Sequence, residues 1–384
     1  SYPVPSYPLH IQQNRNMRIY LVGGAVRDRL LDIPFDEKDW VVTGASPEDM
    51  LATGFQPVNG DFPVFLHPDT GDEYALARRE TKVGPGYQGF SVDAGMDVTL
   101  EEDLKRRDLT INAMALDQDG NLIDPFHGRE DLDAGLLRHV SSAFCEDPVR
   151  LLRIARFAAK LGRWGFRVAH GTQGLLKKMA ESDDLMNLRM ERVWKEMRAA
   201  LQEDQPWRFF EVLHKCGALQ RLLPELSASL GTLGSHTVNT SSRPLDALRR
   251  ATADNAGLEV RYAVLMLNNQ QTGLPVDKAC ADLLSLAREL SGDYLELGTA
   301  SADQLLNFSE RAAKAGQERR EALMSVYRYA WPEHAETASR RVALAQQAAA
   351  SVTAREIMRE GFRGAALGEA LRQRKLQKVQ QALG

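Results

Sequence analysis

The sequence predicts an α+β chain, with a mixed α/β head followed by an all-helical remainder. Three observations carry this. Residues 17–142 alternate short apolar, β-branched runs with Gly/Pro turns, among them RIYLV at Arg18–Val22, FPVFLHP and NLIDPFHG. From Cys145 onward apolar residues recur at helical spacing, as in LLRIARFAAKLG, MERVWKEMRAAL and FFEVLHKCGALQRLL. At 384 residues the chain is too long for one ordinary domain, and roughly two to four are expected.

The opening SYPVPSYPLHIQQNRN, residues 1–16, has no apolar centre or cleavage site and precedes Met17, so it reads as a leader outside the fold. Arg18–Val22 then reads as a strand that breaks at Gly23 and Gly24 before AVRDRLL begins a helix. Strand, glycine turn and helix leave helix N-terminal amides for an anion, and glycine lets the backbone approach it. A triphosphate suits such a junction. Arg27, one turn into the helix, is placed for a charge-assisted phosphate contact, while Arg29 reads as a solvated charge. Taken singly, a Gly-Gly pair is more often a turn and nothing else.

Glu37 and Asp39 come next, just before the strand-like run Trp40, Val41 and Val42. Residues two apart on a strand share a face. Two carboxylates on one face repel unless a cation lies between them, and an all-oxygen donor set suits Mg²⁺. Further on, the motif EDPVRLLRIARF spans Glu146–Phe157. Its Glu146, Arg150 and Arg153, spaced four and three, would line one helix face, with Leu151, Leu152 and Ile154 turned inward. On its own it also fits an amphipathic helix with an acidic first turn and Pro near N1.

GGAVRD, the acidic pair, LKRRDLTINA at Leu104–Ala113 and EDPVRLLRIARF together resemble the ordered motifs of bacterial class II tRNA nucleotidyltransferases, the CCA-adding enzymes of the polymerase β superfamily. The resemblance runs from Met17 to about Leu226, through LARRETKVGPGYQGF, LLRHVSSAF and MERVWKEM, and fades beyond. It is nearest the proteobacterial branch. It implies a polymerase β-like catalytic head at 17–142, a helical neck with a nucleotide-selecting helix at 143–226, and a tRNA-binding helical body and basic tail at 227–384. The implied reaction is template-independent addition of CCA to the tRNA 3′ end from CTP and ATP, with two-metal catalysis, Mg²⁺ as cofactor and pyrophosphate as leaving group.

Carried over by position, Gly24 and Arg27 would contact the triphosphate, and Glu37 and Asp39 would hold the catalytic metals. Arg107, Arg153 and Arg156 match nucleotide-binding positions. Glu146, Asp147 and Arg150 match the EDxxR motif that reads the Watson–Crick edge of CTP or ATP. A carboxylate accepts from the exocyclic amino group that cytosine and adenine share, and a guanidinium donates to their ring acceptors. One departure concerns the metal pair, because the family pattern is Asp-x-Asp and Glu37 stands first here. Its extra methylene displaces the carboxylate in a geometry that Mg²⁺ keeps tight. Asp36 is a neighbouring substitute that would need a bulge to face the same way. The alternatives are a poly(A) polymerase, a partial CC- or A-adding enzyme, and a catalytically weak RNA-binding homologue.

Composition bounds the rest. No apolar run approaches a membrane span, and three scattered cysteines fit a reducing cytosol without zinc spacing. The net charge of −4 argues against indiscriminate nucleic-acid binding. Arg340–Gly384, however, holds nine basic and three acidic residues, a local +6 that suits an RNA backbone or a solvated helix face. Arg78–Gly95, with four glycines, reads as a mobile loop. In the family such a loop helps the pocket switch from CTP to ATP; an exposed hairpin without that role is the other reading. No His-Asp dipeptide occurs, so the phosphohydrolase domain that many proteobacterial relatives carry is expected to be absent.

Overall fold

The computed structural model describes residues 16–58, 63–84, 90–231, 244–270 and 273–384. The expected leader, except for Asn16, and the tip of the Arg78–Gly95 loop at 85–89 lie outside the described residues. The strands are β1 (Arg18–Val22), β2 (Asp39–Thr43), β3 (Gln56–Pro57), β4 (Val64–Leu66), β5 (Glu73–Leu76), β6 (Arg79–Lys82), β7 (Phe90–Asp93), β8 (Ala115–Leu116), β9 (Leu122–Ile123), β10 (Leu136–Leu137) and β11 (Arg167–Val168). Seven of them form one sheet in the order β3-β4-β5-β2-β1-β8-β9. The sheet is mixed, since β2 runs parallel to β5 and the other pairs are antiparallel.

β1 is central and correspondingly apolar: Ile19, Leu21 and Val22 are buried, as are Trp40, Val41 and Val42 beside them on β2. Val22, Val41, Ala77, Val98, Leu104, Ala113 and Ala115 form a buried cluster that Tyr20, Leu100, Ile123, Phe126 and Val140 cover. The register then does the positioning. Val22, the last residue of β1, lies opposite Asp39 on one side and Ala115 on the other. The chain turns at Gly23 into α1 (Gly24–Leu30), so the glycine turn and Asp39 emerge together where β1 ends and β2 begins.

Capping boxes start the next two helices, Ser46 with Asp49 at α2 (Pro47–Ala52) and Thr99 with Glu102 at α3 (Leu100–Lys105). α4 (Gly128–Ala134), α5 (Val149–Leu161), α6 (His170–Glu181), α7 (Asp183–Met186), α8 (Met190–Leu201), α9 (Trp207–Cys216) and α10 (Ala218–Leu222) follow. The remaining helices are α11 (Pro224–Leu230), α12 (Pro244–Ala253), α13 (Leu258–Met266), α14 (Lys278–Glu296), α15 (Ala302–Ala313), α16 (Gln317–Ala330), α17 (Pro332–Ala350), α18 (Ala354–Arg359) and α19 (Gly364–Leu383).

The chain divides into two compact units, Ser1–Ala200 with Arg208–Leu222, and Leu201–Trp207 with Leu223–Gly384. The expected head and nearly all of the expected neck therefore share one unit. The cause is visible in cross-links between them: β10 pairs with β11, Arg153 bonds Asp108 and Lys160 bonds Asp28. The second unit is all helical among its described residues, with a core in which Tyr294 stacks on Tyr327 at 4.3 Å and Tyr327 on Trp331 at 5.6 Å between ring centroids. The Arg78–Gly95 segment is not a featureless loop at its described ends, because β6 and β7 pair as an antiparallel hairpin from Arg79–Asp93 to Lys82–Phe90.

Candidate active site

A cavity of about 1060 Å³ opens in the first unit. Its lining takes in Gly24, Arg27, Glu37, Asp39, Arg107, Asp147, Arg150, Arg153 and Arg156, nine of the ten site residues expected from the sequence. Glu146 is not among the lining residues. It ends a 3-10 turn, Ser142–Glu146, that precedes α5, with Asp147 and Pro148 between. The helical spacing that placed Glu146 on one face with Arg150 and Arg153 therefore does not apply. Pro148 is the N-cap, so α5 starts later than expected, and Asp147 before the proline is extended.

At the end of β1 the glycine turn is required by geometry. Gly23 has φ of +71°, and a Cβ there would come to 3.0 Å from Nη1 of Arg107 and 3.9 Å from Oδ2 of Asp39. The same point thus sits between a cation and a carboxylate. Arg27 is only 3% exposed and is tied inward: Nε and Nη2 reach Oδ1 of Asp28 at 2.7 Å, and Nη1 donates to Oδ1 of Asn112 at 2.6 Å. Arg107 donates from Nη2 to Oδ2 of Asp103 at 3.2 Å, while its buried Nε has no partner among the described residues.

Ten basic and eight acidic side chains line the cavity, and pairing separates the acids into two groups. Asp28, Glu80, Asp108, Asp147 and Glu196 are each ion-paired to a lining cation. Asp36, Glu37 and Asp39 form no ion pair among the described residues, and they lie on one short segment. Glu37 precedes β2, which starts at Asp39, so the two carboxylates do not share a strand face as expected; irregular backbone brings Asp36 and Glu37 to the cavity without a bulge. Although Asp39 is exposed to the cavity, its walls desolvate it and raise the carboxyl above its ordinary value; Arg107 opposes this rise and Glu37 adds to it.

That donor set fits a hard divalent cation. Among the described residues no three His, Cys, Asp or Glu side chains converge as a closed ligand set. Two carboxylates with the rest of the shell left to water and substrate phosphate are what Mg²⁺ ordinarily takes.

α5 supplies the opposite wall. Leu151, Leu152, Ile154, Ala155 and Ala158 bury one side, which turns Arg150, Arg153 and Arg156 to the cavity. Arg153 donates from Nε to Oδ2 of Asp108 at 2.8 Å, and Arg156 from Nε to Oε2 of Glu196 at 2.7 Å. Burial would raise the Asp108 carboxyl, but the Arg153 charge and hydrogen bonds from Asn112, Arg153 and the Leu109 amide hold it down to about 2. Arg150 donates to the carbonyls of Ala143 and Arg106, at 3.1 and 2.6 Å. Asp147 accepts from the Val149 amide and, in a fork, from Nη1 and Nη2 of Arg192 at 3.1 and 2.8 Å. A carboxylate has about four acceptor positions, so about one remains for an incoming group.

Sequence reasoning missed α8, whose Arg192, Lys195 and Glu196 line the cavity, and Phe157, which stacks against three guanidinium groups. Arg27, Arg153 and Arg156 lie 5.2, 5.8 and 4.7 Å from its ring centroid. The signal for α8 was present, since Arg192, Lys195 and Glu196 are spaced for one helix face. The hairpin also reaches the site: Oε1 of Glu80 accepts from Arg78 at 2.9 Å and Arg106 at 3.3 Å, and Arg106 is the residue whose carbonyl anchors Arg150.

A family profile described as the Poly A polymerase head domain matches residues 19–138, and one described as the probable RNA and SrmB-binding site of polymerase A matches 165–230. The chain is 43% identical to the multifunctional CCA protein of Pseudomonas savastanoi pv. phaseolicola, over 94% of this chain and 97% of that one. It is 45% identical to the CCA-adding enzyme of Pseudomonas entomophila, over 95% and 99%. The chain belongs to the CCA-adding enzyme family. The family fold is evident too in a solved apo CCA-adding enzyme, at 23% identity and a TM-score of 0.70 over 95% of this chain and 88% of that one. The CCA-adding enzyme of Thermotoga maritima, solved with tRNA, gives 21% and 0.68 over the same shares. The cavity lies in the unit that contains the matched residues 19–138 and most of the matched 165–230.

Proposed function

We infer that this chain adds C, C and A to the 3′ end of tRNA, taking CTP and ATP and releasing pyrophosphate. The observation that carries the reading is the mixed chemistry of the cavity: its lining joins three acids without ion pairs at and just before the start of β2 to arginines of α5 and α8 and to Asp147, the forked aspartate just ahead of α5. The first side suits phosphoryl transfer and the second suits a base edge. Its membership among CCA-adding enzymes over nearly its full length agrees, and poly(A) polymerase is not favoured.

In this reading Gly23 and Gly24 let the triphosphate approach the backbone, and Arg107 meets its charge. Arg27 acts from beneath, since its donors are already engaged and it fixes Asp28, Asn112 and the Phe157 ring. Glu37 and Asp39 would hold divalent cations, with Mg²⁺ suited by the all-oxygen donor set. Such a cation supplies charge neutralisation for the leaving pyrophosphate and activation of the primer hydroxyl. Asp147 and Arg150 read the amino group and ring acceptors that cytosine and adenine share, each held in place by its own partners. Glu146 would act from outside the cavity, by supporting the turn into α5. Residues 17–142 serve as catalytic head, 143–226 as selecting neck, and 227–384 as the tRNA-holding body and tail. No helix among the described residues is long and apolar enough to cross a membrane, and the cytoplasm is the compartment that the substrate implies.

The test is incorporation of each labelled nucleotide in turn into a tRNA that lacks its 3′ CCA, with and without Mg²⁺. The expected result is metal-dependent addition of CMP and then AMP, with UTP and GTP refused. Long adenylate tails on unrelated RNA would replace this reading with the polymerase.

A further inference from the structure

We propose that the far end of α5 and the turn after it form a docking surface for the RNA strand that leads to the 3′ end, with a phosphate on Arg167 and a base or ribose against Trp164. The inference rests on the reading of the chain as a tRNA nucleotidyltransferase and extends its site beyond the cavity.

The charge pattern points there first. From Pro148 to Ala180 the chain holds eight Lys and Arg and no Asp or Glu, within a molecule of net charge −4. On α5, Arg150, Arg153, Phe157 and Lys160 follow one another at spacings of three and four, which keeps them on one face, and all four line the cavity. α5 ends at Leu161, and Trp164 closes the 3-10 turn Gly162–Trp164 that follows, four residues past Lys160, the last α5 residue of the cavity lining.

The turn itself is built rather than loose. Gly165 donates to the carbonyl of Gly162 at 2.9 Å, Arg208 donates to the carbonyl of Phe166 at 2.8 Å, and the Arg167 amide bonds Gly135 at 2.9 Å. Phe166 is buried as the anchor, while Trp164 beside it stays 38% exposed. The Arg163 guanidinium covers one face of its ring, 3.9 Å from the centroid. Apart from its chain neighbours, nothing lies within 4 Å of where a side chain of Gly165 would begin, so the space beside that glycine is open. The Arg167 side chain is exposed and takes no ion pair among the described residues. An outward aromatic ring among cations, with no acid in the segment, is the arrangement by which proteins hold single strands: stacking on the ring and charge along the backbone. The stretch similar to a probable RNA-binding profile opens at Gly165.

The experiment compares the intact chain with Trp164→Ala, Trp164→Phe and Arg167→Ala in steady-state addition to a tRNA lacking CCA. Trp164→Ala is expected to raise the KM for tRNA roughly tenfold, with kcat and the KM for CTP unchanged, while Trp164→Phe keeps most of the affinity. Arg167→Ala should lower the slope of log KM for tRNA against log salt by about one. Arg167 is on the surface, so this arm holds even if Trp164→Ala unfolds. An unchanged tRNA KM in both alanine variants overturns the proposal, as does a rise in the KM for CTP in step with that for tRNA. If the intact chain adds nothing to tRNA, the functional reading falls, and equilibrium binding of labelled tRNA then decides: equal affinity across the variants overturns the surface, and a loss that Trp164→Phe restores supports it.

Discussion

Asp39 sits where three constraints meet: the end of β2, the register partner of the last residue of β1, and the neighbourhood of Arg107. Asp39→Ala is expected to abolish nucleotide incorporation while tRNA binding, measured by filter retention, stays near that of the intact chain. Glu37 lies in irregular backbone ahead of the strand, where the chain has freedom to bring a shorter side chain to the same place. Glu37→Asp should therefore hold or raise the rate; a dead variant would mean that the site is built around the longer side chain. Asp108 gives a stability prediction. Its folded value of about 2 lies below the ordinary 3.8, so its contribution is complete above about pH 4 and is lost as the pH falls towards 2. The amount is about 2 kcal/mol, and thermal melts of Asp108→Asn should lack that part of the acid limb. At this scale the motifs of fixed spacing singled out ten residues, nine of which line one cavity, in the roles proposed above. Glu146 was placed on the helix only because helical periodicity ignores where a proline stops it.

α5 and the turn just before it carry Arg150 and Asp147, the residues proposed to select the nucleotide, and their neighbours hold them. Arg192 grips Asp147 in a fork, and the carbonyls of Ala143 and Arg106 hold Arg150. Asp147→Ala or Arg150→Ala should admit UTP or GTP at a cost of about 1 to 3 kcal/mol in discrimination, while transfer itself persists. Unchanged selectivity in both would move base reading elsewhere. The β6–β7 hairpin joins this element through Glu80 and Arg106. Shortening residues 84–89 is expected to leave CMP addition intact and stop products at CC, as resolved at single-nucleotide length, since the last step needs the pocket to rearrange around a larger base. Equal loss of both additions would make the hairpin a structural support alone. From the sequence the segment reads as a glycine-rich loop, with an exposed hairpin as the other reading, because RETK holds no apolar residue and the alternation in FSVD is only four residues long. α8 was passed over for a different reason: Arg192, Lys195 and Glu196 do share a helix face by their spacing, but that spacing does not say that the face meets Asp147 and Arg156.

Averaged over the molecule, the charge of −4 conceals an uneven distribution, and the second unit carries the basic tail. The structure sorts the tail's nine cations by what they already hold. Arg372 bridges α19 to Asp303 and Glu310 of α15, and Arg374 pairs with Glu360. Arg340, Arg355, Arg359 and Lys378 are exposed and form no ion pair among the described residues, so their charge is available to a polyanion. Composition alone could not make that division, because a bridging arginine and a waiting one count the same. The difference is measurable in salt dependence. Arg355→Gln with Arg359→Gln should raise the KM for tRNA, leave the KM for CTP unchanged and lower the slope of log KM against log salt by about two, as each released phosphate contact lowers it by about one. Arg372→Gln is the control: it breaks a half-exposed pair between helices, so a loss of about 0.2 to 1 kcal/mol in stability is expected with the slope unchanged. A slope that falls equally in both variants would show that the tail acts through its overall field rather than through the cations left open to RNA.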